Sequence, residues 1–391
     1  MRKEWEYKKL GEVCDVINGY AFKSSKYTSQ GTRIIRITNV QKGYVVDNDP
    51  KFYSNEDFKD LFQYSLFEGD LVMSLTGNVG RVGILQKNML PAALNQRVAC
   101  LRVKSEKMQL NYLFHLLNSN LFENAAIQSA RGIAQLNMST EWLKNYIIPL
   151  PPLSTQLSIV SELDKINELI RLKKEQLKDF DNLAQSIFYE MFGDPVENER
   201  GWEVKKLGDV CIDIKYGTSK PASENGRYIY LRMCNLTTNG FLDLSNTKQI
   251  DIPDDEIEKC IVRYGDVLFN RTNSIELVGK TCLFDQKEPM VIAGYIIRVR
   301  LNDSLLPIVL TRMFNLTSIK KLLRSMAKGA VNQANINSKE LASIKIPLPP
   351  LPLQHLFAQR IEQIEHQKAE VQKSITDLET LLASRMQYWF E

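Results

Sequence analysis

The sequence is poor in the residues on which many metal and catalytic sites depend. Its 391 residues include only three histidines and six cysteines. The cysteines never occur in C-x-x-C spacing and do not cluster with a histidine, so no zinc site is indicated. We therefore expect reduced, structural cysteines and neither a metal nor a cofactor. The cysteines are Cys14, Cys100, Cys211, Cys234, Cys260 and Cys282.

Long apolar runs and a strong surplus of charge are also absent. No segment approaches the roughly 18 unbroken apolar residues that a membrane span needs, and the charged opening residues have no apolar stretch behind them. We expect a cytoplasmic protein with no membrane contact. Lys and Arg number 50 against 46 Asp and Glu, a net charge of +4. A self-sufficient DNA binder is usually strongly basic, so any binding to DNA must be localised or helped by partners.

The chain does contain an internal repeat, and its length suits two domains. Three strings recur in the same order at near-equal distances. W-E-Y-K-K-L-G-E-V-C from Trp5 returns as W-E-V-K-K-L-G-D-V-C from Trp202, G-D-L-V-M-S-L-T from Gly69 returns as G-D-V-L-F-N-R-T from Gly265, and I-P-L-P-P-L from Ile148 returns unchanged from Ile346. Each half is therefore one structural unit with an appendage.

Before the proline string, each half predicts a mixed α/β domain. Short β-branched runs at residues 33–40, 98–103 and 295–301 lie between Gly, Asn and Asp turns, which is typical of strands. One helix is predicted over residues 110–130, and its counterpart over residues 306–328. Each leads into a segment of small and amide side chains.

After the proline string, the apolar period becomes that of a coiled-coil helix in both copies. The first seam is interrupted at Lys173 and the second at Lys368. The first comprises Leu163, Ile166, Ile170, Leu177, Phe180, Ala184, Ile187 and Met191; the second comprises Ile361, Ile364, Val371, Ile375, Leu378 and Leu382. Each helix runs about 38 residues, or about 57 Å. Neither helix can bury its stripe alone, so we expect them to pair as an antiparallel coiled coil.

Such a pair would act as a spacer with one globular domain at each end. The expected division is a first globular domain over residues 1–152, a spacer helix over 153–192, a second globular domain over 193–350 and a second spacer helix over 351–391. Two related domains at a fixed separation suit duplex DNA, whose equivalent groove faces recur about every 34 Å. The copies differ in one loop, S-L-T-G-N-V-G-R from Ser74 against N-R-T-N-S-I-E-L-V-G-K from Asn270. This difference predicts an asymmetric, bipartite target.

The duplicated order of these motifs resembles the specificity subunits of type I restriction-modification systems. The resemblance spans nearly the whole chain, although each motif alone is weak. Its further carriers are L-N-Q from Leu94, G-I-A-Q-L-N-M-S from Gly132 with G-A-V-N-Q-A-N-I-N-S from Gly329, and Gln156 or Gln354 after each proline string. One departure is that Ala293, Gly294 and Tyr295 stand where the first copy has Asn95, Gln96 and Arg97, so these segments are not assumed equivalent in role.

The resemblance implies two target recognition domains that bind double-stranded DNA and carry out no chemistry. It also implies assembly with two type I methyltransferase (modification) subunits, which methylate adenine, and with restriction subunits for cleavage. Methyltransferase subunits that wrap the DNA would account for the modest charge. The outer helix face around R-L-K-K-E-Q-L-K-D from Arg171 is either an ordinary solvated surface or a docking face for those subunits.

Base edges and phosphates are read mainly by Arg, Lys, Asn and Gln side chains, and we expect these in polar loops between strands. The DNA-binding candidates are Lys23, Lys26, Asn78, Arg81, Arg97, Arg131 and Gln135 in the first copy, and Lys215, Lys220, Asn270, Arg271, Asn273, Lys328 and Gln333 in the second. The alternative for each is an ordinary solvated surface residue. Asn137 and Asn335 occupy matching positions, which favours a shared structural turn. Trp5 and Trp202 are interpreted as packing residues.

Three short strings resemble enzyme motifs, and each lacks a required residue. Gly279-Lys280-Thr281 resembles the end of a phosphate-binding loop, but Ser274 stands where that loop needs glycine. The string D-P-K-F from Asp49 has Lys51 in place of the proline of an adenine methyltransferase. The acidic spacing of Asp194 and Glu203 fits a nuclease, but the first copy has no equivalent of Asp194. An autonomous nuclease or methyltransferase, and a two-headed protein for another ligand, remain as alternatives.

Overall fold

A computed structural model describes residues 4–130, 136–330 and 333–391, with the side chains of 328–330 and 333 left undescribed. The chain divides into two compact units. The first comprises Met1–Lys173 together with Ser374–Glu391, and the second comprises Lys174–Lys373. Each unit therefore combines a globular part with a portion of both long helices.

The elements of the first half alternate short strands with helices. The strands are β1 (Glu6–Lys9), β2 (Cys14–Asn18), β3 (Thr32–Ile35), β4 (Val40–Gln41), β5 (Tyr44–Val45), β6 (Phe52–Tyr53), β7 (Ser65–Leu66), β8 (Leu71–Ser74), β9 (Val82–Ile84), β10 (Ala92–Leu94), β11 (Val98–Val103) and β12 (Ile147–Leu150). The helices are α1 (Leu10–Val13), α2 (Asn55–Phe58), α3 (Leu110–Leu117), α4 (Asn120–Ser129), α5 (Thr140–Asn145) and α6 (Leu153–Phe192).

The second half repeats this order with small differences. Its strands are β13 (Glu203–Lys206), β14 (Cys211–Tyr216), β15 (Tyr228–Leu231), β16 (Lys248–Ile250), β17 (Ile261–Val262), β18 (Val267–Asn270), β19 (Thr272–Asn273), β20 (Thr281–Leu283), β21 (Met290–Ile292), β22 (Ile296–Leu301), β23 (Lys328–Ala330), β24 (Gln333–Asn335) and β25 (Lys345–Leu348). Its helices are α7 (Asp254–Cys260), α8 (Pro307–Phe314), α9 (Thr317–Met326), α10 (Ser338–Ala342) and α11 (Leu351–Phe390).

The first unit packs two sheets against each other and helices against the outer face of one of them. The sheets have the strand orders β2-β11-β8-β9 and β6-β3-β10-β7. Successive side chains of a strand point to opposite faces. Val72 and Cys100 accordingly face the second sheet, in one cluster with Leu94, whereas Met73 and Leu101 belong to the cluster under α3 and α4. A buried α/β core of the predicted class follows from this alternation.

The second unit has the same architecture. Its sheets have the strand orders β14-β22-β18-β20 and β16-β15-β21-β17. Leu268 and Ile296 lie between the sheets, whereas Phe269 and Ile297 pack under α8 and α9. In both units the strand near the proline string closes on the opening strand, β1 with β12 and β13 with β25, in antiparallel register. The mixed α/β fold predicted for both copies is confirmed.

The doubled Gly-Asp motif forms a structural turn in both units. Gly69 and Gly265 have φ of +84° and +90°, a left-handed conformation that favours glycine. The buried Asp70 accepts hydrogen bonds from the Phe67 N–H at 2.8 Å and from Arg102 Nε at 2.7 Å. Asp266 has the same two contacts, from the Arg263 N–H at 2.8 Å and from Arg300 Nε at 2.7 Å.

A buried glutamine joins each long helix to the globular part of its unit. Gln156 Oε1 accepts from the Gln109 N–H at 2.8 Å, while its amide donates to the carbonyls of Lys107 and Pro151. Gln354 repeats this pattern with the Leu306 N–H and the carbonyls of Ser304 and Pro349. Both glutamines are fully buried. We call this arrangement the glutamine lock.

The long helices pair in antiparallel fashion, as predicted. In the first unit the beginning of α6 meets the end of α11, where Glu162 accepts hydrogen bonds from Arg385 and from Trp389 Nε1. In the second unit the end of α6 meets the beginning of α11, where Phe188 and Phe192 contact Phe357. Lys368, which interrupts the apolar seam of the second helix, forms an ion pair, because its Nζ lies 2.6 Å from Asp181.

Three predicted elements are corrected by the structure. The helix expected over residues 110–130 is two helices, because the first ends at Leu117 and Ser119 caps the second by accepting from the Phe122 N–H. The helix expected over residues 306–328 is likewise divided into α8 and α9. The strand expected over residues 33–40 is divided into β3 and β4.

As expected, Cys14, Cys100, Cys211, Cys234, Cys260 and Cys282 are all free, but the structural role predicted for them does not fit Cys234, which is exposed. Burial raises the pKa of Cys14, Cys211 and Cys282 to about 12, so these thiols are inert at neutral pH. Among the helices of the described residues, none has the length and apolar character needed to cross a membrane.

Candidate nucleic-acid interface

The loops that differ between the copies occupy the same position in the two units. In the first unit β8 ends beside the start of β11, where Ser74 is paired with Val98. In the second unit β18 ends beside the start of β22, where Asn270 is paired with Ile296. We call residues 75–81 the first loop and residues 271–280 the second loop. Each projects from the same end of an equivalent sheet.

The first loop is a tight turn held by Ser74. The Ser74 hydroxyl donates to the Asn78 carbonyl and accepts from the Arg81 N–H at 3.1 Å. Arg81 Nη1 donates to Gln41 Oε1 at 2.8 Å. The structure therefore brings together the predicted residues Asn78 and Arg81, which line one concavity with Thr38 and Gln41.

Arg97 belongs to the same end of the first unit. Its carbonyl accepts from the Leu75 N–H at 2.9 Å, and its side chain is exposed. The equivalent carbonyl in the second unit is that of Tyr295, which accepts from the Arg271 N–H at 3.0 Å. Tyr295 is 52% exposed. The two copies thus place different side chains, a guanidinium and a phenol, at one framework position.

The second loop has the same base and a longer tip. The Gly279 N–H donates to the Asn270 carbonyl, as the Gly80 N–H does to the Ser74 carbonyl. Lys280 is therefore the positional counterpart of Arg81, as the comparison of the two loop strings indicates, but its side chain is buried. Lys280 Nζ donates to the Met233 carbonyl at 2.9 Å, and burial lowers the pKa of its ammonium group.

Arg271 and Asn273 lie in the second loop, where the sequence predicted them. The Arg271 guanidinium stacks 4.8 Å from the centre of the Tyr216 ring, and Nη1 donates to the Gly294 carbonyl at 3.4 Å. Asn273 pairs with Ala334 in the edge sheet β19-β24-β23. A planar cation held on an aromatic ring is pre-oriented for recognition of a base edge or a phosphate.

The structural role predicted for the paired asparagines is confirmed. Thr76 Oγ1 donates to Asn137 Oδ1 at 2.8 Å, and Thr272 Oγ1 donates to Asn335 Oδ1 at 3.0 Å. The same bond therefore ties each loop to a later segment of its unit, the one after α4 in the first unit and the one after α9 in the second. The predicted packing role of Trp5 is confirmed, since its side chain packs against the core of the first unit, whereas Trp202 Nε1 donates to the Phe192 carbonyl at 2.9 Å.

Three predicted lysines lie elsewhere and have acidic partners. Lys26 lies 2.6 Å from Asp57, Lys220 lies 2.9 Å from Glu256, and Lys215 lies 3.3 Å from Asp213. The hydrogen bond that the Lys26 ammonium donates to Asp57 raises the pKa of Lys26. Lys23 is exposed, and its N–H donates to the Tyr53 hydroxyl at 2.7 Å. An ion-paired lysine offers less charge to a phosphate than one without an acidic partner.

Asn270 is not in a polar loop, and that prediction is wrong. It ends β18 with a fully buried side chain, because the strand continues under the loop base before the chain emerges at Arg271. The predicted residues Arg131 and Gln135 lie outside the described residues, and so do the side chains of Lys328 and Gln333. Across the described ranges, no group of three or more His, Cys, Asp or Glu side chains could hold a metal ion.

The fold and the loops define a duplicated recognition protein, with one framework presenting two unlike polar surfaces. The chain matches the family model described as "Type I restriction modification DNA specificity domain" over residues 2–179 and again over 199–380. The chain belongs to this family, and the resemblance expected from the sequence is confirmed.

Individual relatives agree with the family model. The chain is 32% identical over 189 residues to the type I restriction enzyme MjaVIII specificity subunit of Methanocaldococcus jannaschii, which covers 47% of this chain and 44% of the relative. It therefore spans less than half the length of that protein. It is 23% identical over 395 residues to the EcoKI specificity subunit of Escherichia coli strain K12, covering 95% and 84% of the two chains.

A solved structure from work on the assembly and conformational transition of the type I R-M system has the same fold. It matches with a TM-score of 0.60 and 22% identity, over 100% of this chain and 98% of the other.

Proposed function

We propose that this chain selects the DNA sequence on which a type I restriction-modification complex acts. Its two globular parts each bind one half of an asymmetric, bipartite target, and the long helices set the gap between the halves. Residues 1–152 and 193–350 are the two target recognition domains, and residues 153–192 and 351–391 are the spacers.

The observation that carries this proposal is the contrast between framework and loop. The Gly-Asp turn, the glutamine lock and the threonine–asparagine bond recur in both units, whereas the loops at the equivalent sheet end differ in length and chemistry. Equal frameworks would dock on DNA in equal ways. Unlike loops would then meet base edges with different donors and acceptors, which supports two different half-sites.

At the loop end of the first unit we assign base or phosphate contacts to Asn78, Arg81 and Arg97, and in the second loop to Arg271 and Asn273. Lys23, Lys26, Lys215 and Lys220 are proposed as peripheral phosphate contacts. Lys26, Lys215 and Lys220 make these contacts once their acidic partners release them. Arg131, Gln135, Lys328 and Gln333 stay proposals on the sequence alone.

The chemistry belongs to partners in this proposal. Two methyltransferase subunits methylate adenine in the half-sites, restriction subunits join them for cleavage, and this chain has no catalytic role. Docking of those subunits on the long helices is supported by aliphatic side chains on otherwise charged outer faces. Leu169 and Leu172 in the first unit and Leu183 in the second are each 45–46% exposed.

Co-expression with a type I methyltransferase, followed by genome-wide mapping of methylated adenine, tests whether the chain selects the DNA sequence. We expect one gapped motif with two different halves. A continuous or palindromic motif would contradict the two-reader proposal. The variant Arg81→Ala is expected to weaken or abolish the base preference in the first half of the methylated motif and to leave the second half unchanged.

The purified chain tests whether chemistry resides elsewhere. Incubated alone with DNA, the methyl donor and Mg²⁺, it should neither methylate nor cleave. Activity without added subunits would support an autonomous methyltransferase or nuclease. Binding of a ligand other than DNA at both globular parts, with no methylation motif, would favour the two-headed binding protein instead.

A further inference from the structure

The tip of the second loop exposes two aliphatic side chains on an otherwise polar surface. Ile275 is 44% exposed and Leu277 is 39% exposed. The corresponding stretch of the first loop consists of Gly77 and Asn78, so the apolar tip is specific to the second unit. Apolar surface gathered at one loop tip is typical of an interaction site, whereas singly scattered aliphatic residues are ordinary.

This tip is held in place. The N–H groups of Leu277 and Val278 both donate to the Ser274 carbonyl, and Val278 is buried in the core. Helix α9 adds two clamps, because Lys320 Nζ donates to the Gly279 carbonyl at 2.7 Å and Arg324 Nη2 donates to the Glu276 carbonyl at 3.2 Å. A loop fixed in this way presents its side chains in a defined geometry.

The clamps are particular to the second unit. Lys320 and Arg324 are the fourth and eighth residues of α9, and the fourth and eighth residues of the equivalent helix α4 are Glu123 and Ile127. The longer loop and the basic helix that holds it therefore occur together.

The surroundings of the tip favour duplex DNA as the occupant. Arg271 and Arg324 lie along the loop, and cationic side chains of this kind suit the phosphates that flank a groove. Glu276 stands between the two aliphatic residues, and hydrogen bonds from its own N–H and from Ser274 lower the pKa of its carboxyl group. An ionised carboxylate repels phosphates but accepts hydrogen bonds from cytosine amino groups in the major groove. The tip is therefore suited to base edges.

We propose that Ile275 and Leu277 determine part of the specificity of the second unit by packing against thymine C5-methyl groups in the major groove. The thymine methyl is the apolar feature that distinguishes one base edge from the others there. This inference rests on the proposed function, since it requires that the second loop meets DNA.

Uracil substitution tests the contact, because uracil differs from thymine only by that methyl group. The assembled complex with methyltransferase subunits is titrated with duplexes in which each thymine of the mapped second half-site, on either strand, is replaced singly by uracil. For the unaltered protein we expect a loss of about fourfold in affinity at one or more positions, the value of one buried methyl. Ile275→Ala, Leu277→Ala and the double variant should lose that sensitivity.

Matched controls separate this result from general damage. Ile212→Ala removes another exposed aliphatic residue of the same unit, from the far end of β14, and should keep the full uracil sensitivity. Uracil in the first half-site should affect all variants equally, and thermal unfolding reports whether each variant is folded.

The outcomes distinguish the two proposals. A gapped motif with the same uracil sensitivity in the unaltered protein and the double variant, or with none in either, overturns this inference alone. Loss of methyltransferase binding by the double variant also overturns it, because the tip would then face protein. Absence of any gapped motif refutes the proposed function itself.

Discussion

At the residue scale, buried polar side chains with fixed partners maintain the framework, and the glutamine lock is the most fully bonded example. Gln354 places both of its amide atoms in hydrogen bonds to backbone groups with no exposure to solvent. A buried backbone group that loses such a partner is left unsatisfied, at a cost of about 1–3 kcal/mol.

We therefore expect Gln354→Leu to lower the free energy of unfolding by about 2–4 kcal/mol, since it leaves the Leu306 N–H and two carbonyls without their partner. Thermal or urea unfolding measures the loss. Gln363→Leu, at an exposed position of the same helix, is the matched control and should change stability little. Equal effects of the two substitutions would contradict the role of the lock.

The Lys320 clamp makes the stability of the second unit depend on pH. Burial lowers the pKa of Lys320 from 10.5 to about 8 in the folded protein. Between these values the unfolded chain binds a proton that the folded chain does not, so stability rises with pH across that window. Below about pH 8 the folded protein buries a charged ammonium group, and the full cost of that burial is subtracted from its free energy of unfolding.

Lys320→Met removes the titrating group and keeps the length of the side chain. The free energy of unfolding of the unaltered protein should increase relative to this variant as the pH is raised from about 8 to about 10. Comparison of the two proteins cancels the titration of all other groups. Parallel curves over this range would show that Lys320 titrates at its ordinary pKa.

Residue identities were predictable from the sequence where both copies agree. Asn137 and Asn335 match in position, and both accept a threonine hydroxyl. Lys280 ends the second loop string as Arg81 ends the first, but the comparison does not reveal that the Lys280 side chain is buried. The sequence places Asn270 in the interface because asparagine reads base edges and begins a polar string, but the strand that it ends is covered on both faces. Burial of a polar residue depends on packing that sequence does not display.

At the element scale, the long helices were predictable from their period, and the last turns of the first seam were not. The heptad series ends at Ile187 and Met191, whereas Phe188 and Phe192 are the buried residues in the structure. A straight α-helix drifts about 20° per heptad, so after four heptads the buried face has moved by almost one residue. The breaks at Ser119 and between α8 and α9 were hidden because the apolar spacing continues across them.

The phenylalanine cluster at this end should dominate the pairing of the helices in the second unit. Phe357 is fully buried and contacts Phe188 and Phe192, with ring centres 5.5 and 5.0 Å away. We expect Phe357→Ala to lower the free energy of unfolding by about 3–5 kcal/mol. Leu356→Ala, at the neighbouring 44% exposed position, should cost far less. Similar losses in both, measured by urea unfolding, would contradict the assignment of the seam.

At the scale of the whole molecule, the duplication itself was the part most accessible to sequence, because near-equal offsets between strings do not depend on packing. The duplication predicts both the two α/β units and the antiparallel pairing of the long helices. The bases read by each loop were not accessible, since recognition depends on side-chain geometry at the moment of contact with DNA.

The spacer role proposed for the helices leads to a test with the whole protein. Removing seven residues from the middle of both α6 and α11 shortens each helix by about 10 Å, equivalent to at most about three base pairs. We expect a shorter gap in the methylated motif and two unchanged half-sites. An altered half-site with an unchanged gap would contradict the spacer role. Removing seven residues from one helix alone breaks the register and should abolish methylation.

The glutamine lock has a consequence for how such a chain can vary. Its partners are carbonyls and an N–H of the main chain, which are present whatever side chains stand at positions 107, 109, 151, 304, 306 and 349, provided that the donor position is not proline. The attachment of each long helix to its globular part therefore does not depend on which side chains stand at these partner positions. Surface composition can drift, or a whole globular part can be grafted from another chain, while the joint stays intact.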